Sequence, residues 1–472
     1  MGEIRLDKMS GAGPGFYPVL FLESGMKKQQ NDFLNGSILP SLLRFAGPVL
    51  LALFLQAMYG AVDLIVVGKF AGTADISAVS TGSQAMQLVT SLLVGLTTGV
   101  TVLLGQKIGE GRPDEAGSVV GSAICLFVYV ALALTALLSA LTEPFCRLLQ
   151  APEEAFVPTT QYVRICSAGT LFIVAFNVIG SVFRGLGNSK MPLITVAIAC
   201  VTNIFGDLLL VDVFQMGAAG AALATVFAQV VSVILSLFVI MRRKLPFTFR
   251  KEQLRFDRPL TAGILRLGIP IALQDVLVGV SFLVILAIVN SLGLLQSAGM
   301  GIAEKVCAFV MLLPSAFSQS VSAFVAQNTG AGKPERAKKA LRYSVAVSLC
   351  ISVFVFYFNF FHGDLLAGIF ANDHAVILEA ADYLKAYAID CLLTSFLFCF
   401  VGYFSGLGKT VFVMMQGILG AFGVRIPVSF AMSRLPNVRL FYIGLATPCS
   451  TVVQVLLCLG YYAHLARRER RA

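Results

Sequence analysis

Apolar stretches long enough to cross a bilayer recur along this chain from Leu39 to Leu465, and they leave it few ways to fold. Each stretch of about 20 residues covers a hydrocarbon core of roughly 30 Å when it forms a helix rising about 1.5 Å per residue. The predicted spans are 39–67, 76–105, 117–141, 158–183, 190–211, 217–241, 260–292, 298–327, 340–361, 379–404, 411–433 and 440–465. They define an all-α integral membrane protein with twelve transmembrane helices. Composition agrees: 57% of the 472 residues are hydrophobic and 13% charged, and the mean hydropathy of +0.84 exceeds what a soluble core of this size requires.

A net charge of +10 would suggest nucleic acid in a soluble domain. Here the basic residues fall mainly on alternate loops, which makes them a signal of orientation. With the N-terminus cytoplasmic, the inner loops carry Lys107 and Arg112, Arg184 and Lys190, then a cluster of Arg242, Arg243, Lys244, Arg250, Lys251, Arg255 and Arg258. Lys333, Arg336, Lys338, Lys339 and Lys409 follow, and the tail adds Arg467, Arg468, Arg470 and Arg471. The outer loops offer Lys69, Arg147, Arg434 and Arg439. This bias predicts both termini in the cytoplasm and no nucleic-acid partner.

Ten cysteines are scattered singly, without a CxxC pair or a Cys/His spacing that suits zinc, and read as small packing residues. Residues 1–25 hold Gly, Pro and mixed charge but no apolar segment followed by a cleavage site, so no removable signal peptide is expected, and Met26 could itself be the natural start. The expected organisation is a cytoplasmic segment 1–37, a six-helix lobe 38–241, a basic linker 242–259, a second lobe 260–465 and a basic tail 466–472.

The two lobes follow from an internal repeat, because a shift of 221 positions aligns them without a gap at three separated places. Gln106 to Ala116 falls on Gln327 to Ala337, Tyr162 on Tyr383, and Phe183-Arg-Gly-Leu-Gly187 on Phe404-Ser-Gly-Leu-Gly408. Six helices per repeat give both lobes the same orientation, related by a pseudo-two-fold axis along the membrane normal. The cleft between them is the natural path for a solute. Gly109, Gly111, Gly330 and Gly332 are not phosphate cradles, since no Gly-Lys-[Ser/Thr] follows. They read as suppliers of left-handed turns between helices, with Pro113 and Pro334 in the first turn of the next helix.

Gly47-Pro48, then Met58-Tyr-Gly-Ala-Val-Asp63 with Gly68, together with the duplicated Gly-x-Gly-[Arg/Lys]-Pro and Phe-x-Gly-Leu-Gly, resemble the multidrug and toxic compound extrusion (MATE) family. The likeness runs from about Ile38 to Leu465, and the order and duplication of the motifs make it specific. It implies a twelve-helix antiporter of a bacterial plasma membrane that exports amphiphilic, often cationic organic compounds in exchange for protons or sodium ions. No cofactor and a monomer in membrane lipid are expected on the same ground.

Ionisable groups at membrane depth are costly unless paired or hydrated, so each is a functional candidate. Asp63 lies 19 residues beyond Arg44 and Asp207 lies 17 beyond Lys190, which puts them roughly 28 and 25 Å from the inner surface at helical rise. Asn203, four residues before Asp207, shares its helix face, and Thr225 on the next helix is near the midplane. The resemblance sharpens this group: Asp63 matches the acidic residue of the family's first helix. Asn203, Asp207 and Thr225 match a polar cluster of the DinF-like branch, where it is linked to cation or proton coupling, and Asn177 is a further candidate. Two buried carboxylates placed together need not both ionise, so a proton can be held there. Oxygens of Asp63, Asp207, Asn203 and Thr225 equally suit sodium, a hard cation. The bland alternative is that these side chains only satisfy one another.

The second lobe departs from part of the family. Where some members carry glutamate about eight residues after the Gly-x-Pro of the seventh helix, Gly268-Ile-Pro270 is followed here by Val278, with Asp275 one turn earlier. Asp275, Asp390 and Arg425 form a second candidate polar site, with Asp390 and Arg425 expected to pair. Glu304 and Lys305 suggest an interfacial salt bridge. Met58, Met86, Met300 and Met311 are candidates for a flexible apolar cleft wall, and equally for ordinary packing. A flippase for lipid-linked sugars is the near rival, but it would line its cleft with arginines, and Arg425 alone lies clearly at depth. A membrane-embedded transferase would need an acidic metal motif or a histidine set, whereas His362, His374 and His464 lie near helix ends or in loops.

Overall fold

The computed structural model describes residues 33–242, 247, 249–436 and 438–470. Most of the expected N-terminal segment, together with Arg243, Lys244 and Arg471, lies outside the described residues. The first six spans are α1 (Ile38–Phe70), α2 (Thr73–Gly109), α3 (Pro113–Ala140), α4 (Glu153–Ala168 with Thr170–Gly185), α5 (Lys190–Val213) and α6 (Gly217–Arg242). The second six are α7 (Arg258–Asn290), α8 (Leu294–Gly330), α9 (Pro334–Phe361), α10 (His374–Gly406), α11 (Thr410–Ser433) and α12 (Leu440–Glu469). The apolar stretches thus become the predicted helices, which extend past the apolar windows because their polar ends carry on the same hydrogen-bonded turns.

Two departures from straight helices were not legible in hydropathy. The halves of α4 meet at 54°, at Gly169, where a Cβ would stand 2.6 Å from the Val226 methyls of α6. The fifth helix of each lobe also passes through a π-helical stretch, Leu208–Val213 in α5 and Leu419–Arg425 in α11. Such wide turns leave the α-helical hydrogen-bond register and re-aim the side chains around them. Here they adjoin Asp207 and contain Arg425.

The loops carry out part of their predicted role. Gly111 (φ 70°) and Gly332 (φ 66°) take the left-handed conformation, and Pro113 and Pro334 stand in the first turns of α3 and α9. Gly109 and Gly330 do something else: they let the backbones of the two lobes approach closely. A Cβ on Gly109 would lie 2.0 Å from the Gln327 carbonyl oxygen, and a Cβ on Gly330 would lie 2.0 Å from that of Gln106.

The same two glutamines cross the seam. Gln106 Nε2 donates to the Gly406 carbonyl at 3.2 Å, and Gln327 Nε2 donates to the Gly185 carbonyl at 2.9 Å. Positions 106 and 327, and 185 and 406, are equivalent in the repeat, so one bond is the symmetry mate of the other. Further along, α2 lies against α7, with Gly99 under the Ile264 carbonyl and Gly268 under that of Leu96. Phe33, Phe45 of α1 and Phe324 of α8 stack at 5.3 and 5.0 Å. Arg336 holds the carbonyls of Phe33 and Gly36, and Lys333 that of Leu34. The lobes are therefore joined at the end that carries the basic loops.

Candidate functional site

In the first lobe, α1, α5 and α6 bring Asp63, Asn203, Asp207 and Thr225 together. Asp63 is 4% exposed, Asn203 1% and Asp207 0%. Thr225 Oγ1 donates to Asp63 Oδ2 at 3.2 Å, and Asn203 Nδ2 donates to Thr225 Oγ1 at 3.4 Å. The Asp63 and Asp207 carboxyl groups are within hydrogen-bonding reach of each other. Asp63 Oδ1, both Asp207 oxygens and Asn203 Oδ1 receive no donor from the described residues. The depth arithmetic and the i, i+4 spacing thus locate four of the five residues expected here.

Asn177 is not joined to this group by any described hydrogen bond. Its amide donates to the Ile173 carbonyl one turn back on its own helix, at 2.8 Å. The resemblance that named this residue says nothing about which way its side chain points. Two tyrosines that sequence reasoning gave no role stand close by. Tyr59 is one turn before Asp63, and Tyr162 lies within electrostatic range of both carboxylates. The repeat itself held a signal for Tyr162, because its equivalent Tyr383 faces the cavity of the other lobe.

That cavity, of about 590 Å³, is walled by α7, α8, α10, α11 and α12, with Val94 and Thr98 of α2 closing it from the first lobe. Asp275, Glu304, Asp390 and Arg425 all line it. The expected Asp390–Arg425 ion pair does not form: Arg425 Nη1 donates to Ser281 Oγ at 3.1 Å, and the guanidinium lies 4.5 Å from the Phe282 ring centroid. A residue in the π-helical stretch of α11 thus engages α7. Asp390 Oδ1 and Arg425 Nε have no hydrogen-bond partner among the described residues. Glu304 likewise faces the cavity, and no salt bridge to Lys305 is found among the described residues. Met311 lines the cavity, whereas Met86 and Met300 are buried in the cores of their lobes.

Twelve membrane-crossing helices in two like lobes, joined at one end, with a cavity in the second lobe that carries charged groups and is closed by α2 of the first, define a multi-pass solute transporter. The MatE family model matches residues 48–209 and again 270–431, one match to each lobe, and the chain belongs to that family. It is similar to the probable multidrug resistance protein YoeA of Bacillus subtilis (strain 168), with 25% identity over 92% of this chain and 95% of the relative. It is also similar to a FAD transporter of Shewanella oneidensis, with 27% identity over 74% and 78% of the two chains. A crystal structure of MATE in complex with MaL6 superposes with a TM-score of 0.88 at 18% identity, covering 93% of this chain and 99% of that one. The protein is therefore a MATE transporter and not an enzyme.

Proposed function

We propose that the chain is a secondary active exporter of a bacterial plasma membrane, working as a monomer, which expels amphiphilic, often cationic compounds in exchange for protons or sodium ions. The observation that carries this reading is the set of buried oxygens on Asp63, Asp207 and Asn203 that no donor among the described residues serves. A buried acceptor without a donor costs about 1–3 kcal/mol, and neighbouring carboxylates repel as well. A proton shared between Asp63 and Asp207 relieves both penalties, and so does a sodium ion, which favours oxygen ligands.

Under this reading the basic end faces the cytoplasm, in accord with the positive-inside rule, and both termini lie there. The seam at Gln106 and Gln327 then closes the cytoplasmic side, and the cavity belongs to an outward-facing state. Lobes 38–241 and 260–465 rock about the linker 242–259. The cargo occupies the cavity of the second lobe, where three carboxylates outnumber one guanidinium and favour a positively charged guest. Aromatic walls at Phe282 and Phe398, with Met311, suit its apolar part. Cation and cargo must each favour a different state, so binding of one weakens binding of the other.

Purified protein in proteoliposomes, loaded with ethidium and given an imposed proton or sodium gradient, tests the proposal. Efflux driven by one of the gradients is expected in the wild type, and Asp63→Asn should abolish it while leaving expression intact. Undiminished gradient-driven efflux in that variant overturns the coupling assignment.

A further inference from the structure

A second cavity, of about 960 Å³, runs along the flank of the first lobe between α3, α4 and α6. Every residue that lines it is apolar. Its α3 wall extends from Pro113 to Val128, which is about 22 Å of helix and close to the depth of one leaflet. Ile124, Val128 and Leu237 on its walls are substantially exposed, so the crevice opens sideways toward lipid. No residue of α7–α12 lines it, and it is separate from the cavity of the second lobe.

The mouth of the crevice is basic. At the membrane edge its lining ends in Pro113, Met241 and Phe249, and the residues adjoining these are Arg112, Arg242 and Arg250, all exposed. Arg112 is engaged by Glu115 at 3.0 Å. Arg242 and Arg250 have no carboxylate partner among the described residues, and the Arg242 guanidinium rests 4.2 Å from the Phe238 ring centroid. The stretch 249–254, which carries Phe249 and Arg250, lies against this lobe through Gln253. Gln253 lies against Gly117 and Gly121 of α3, where a Cβ on Gly121 would be 2.0 Å from the Gln253 carbonyl oxygen, and Gln253 Nε2 donates to the Asp114 carbonyl at 3.0 Å.

An apolar slot one leaflet deep under free guanidinium groups is complementary to an anionic amphiphile, and it repels the cationic compounds assigned to the other cavity. We propose that this crevice binds an anionic phospholipid of the leaflet at the basic end, with an acyl chain between α3, α4 and α6 and its phosphate on Arg242 and Arg250. The lipid then packs the inter-lobe linker against α3 as part of the folded lobe.

The test uses the full chain in nanodiscs with phosphatidylglycerol or phosphatidylcholine carrying the same diazirine-bearing acyl chain. The phosphatidylglycerol probe should label peptides within 120–128, 171–183 and 233–241, and it should do so several-fold more than the phosphatidylcholine probe. Arg242→Gln and Arg250→Gln should each lower that preference about fivefold, the effect of one basic residue near a charged headgroup. Ala175→Phe, which fills the slot and leaves the arginines in place, should remove labelling by both probes. Equal labelling by the two headgroups in the wild type, or labelling spread evenly over the lipid-facing helices, overturns the proposal without recourse to any variant. Displacement of the phosphatidylglycerol probe by ethidium also overturns it, because the crevice would then be a cargo entrance.

Discussion

Thr225 reaches from α6 to α1 and donates its hydroxyl hydrogen to Asp63 Oδ2 at 3.2 Å. Among the described residues that donor serves one oxygen of the carboxylate, and the other, Oδ1, has no hydrogen-bond partner. Replacement by the near-isosteric Thr225→Val removes the donor and leaves the packing. A hydrogen bond to a charged group is worth about 1.5–3 kcal/mol and favours the ionised carboxylate, so a proton-coupled variant should need on the order of tenfold less proton for half-maximal efflux, whereas a sodium-coupled one, having lost a ligand oxygen, should need more sodium. The maximal rate should change little. Titration of efflux against proton or sodium concentration checks both numbers.

Asn177→Ala should behave differently. Its amide is committed to Ile173 on the same helix, so the counter-ion titration should stay within about twofold of wild type, with any cost appearing as a lower melting temperature of about 1 kcal/mol equivalent. A tenfold shift in the titration would return Asn177 to the coupling group.

Among the described residues, Arg425 is the one cation that lines the cavity of the second lobe. Arg425→Gln should strengthen competition by cationic dyes and weaken competition by anionic dyes, each by about tenfold, given the interaction of like and opposite charges at an intermediate dielectric. Competition against ethidium efflux measures the change. Movement of both cargo classes in the same direction would mean that Arg425 acts through the fold and not through its charge.

The two seam glutamines should be coupled. Each bond contributes about 1 kcal/mol, so Gln106→Ala and Gln327→Ala should each shift the lobes toward opening at the basic end, and the double variant should depart from the sum of the two. Spin-label distances between the α2–α3 and α8–α9 loops report the opening. Gly109→Val, whose side chain has no room beside the Gln327 carbonyl, should hold that end open and stop turnover. A short distance in Gly109→Val would contradict the assigned role of the seam.

Asp382 of α10 accepts from Arg439 and from the backbone N–H of Phe441 at 3.1 Å. The exposed arginine can be spared, so Arg439→Ala should leave the melting temperature nearly unchanged. Asp382→Ala loses the cap on the start of α12 and should cost about 1 kcal/mol. Thermal unfolding in detergent compares the two.

How much of this was legible beforehand depends on what each residue signals. Apolar length alone gave the helices, and the 221-residue offset gave the lobes. Helical rise placed Asp63 and Asp207 at one depth, and their meeting followed. Azimuth is what depth does not carry: Glu304, expected in an interfacial salt bridge, turns into a cavity, and Asn177, a candidate on the family resemblance, turns to its own helix. The Asp390–Arg425 pair, expected because both residues lie deep in their helices, does not form for a related reason: depth leaves direction open, and Arg425, in the π-helical stretch of α11, donates to Ser281 instead. Gly109 and Gly330 were visible as turn residues because they sit beside Gly111 and Gly332. Their contact with the opposite lobe is a property of the docked pair and of neither repeat alone.

The crossed glutamine bonds have one more implication. In an isologous contact residue i of one copy meets j of the other while j meets i, and such contacts arise where two identical chains associate about a two-fold axis. Gln106 with Gly406 and Gln327 with Gly185 keep that pattern inside a single polypeptide. The seam is thus a homodimer interface made covalent, and the linker between α6 and α7 replaces an association equilibrium with a tether.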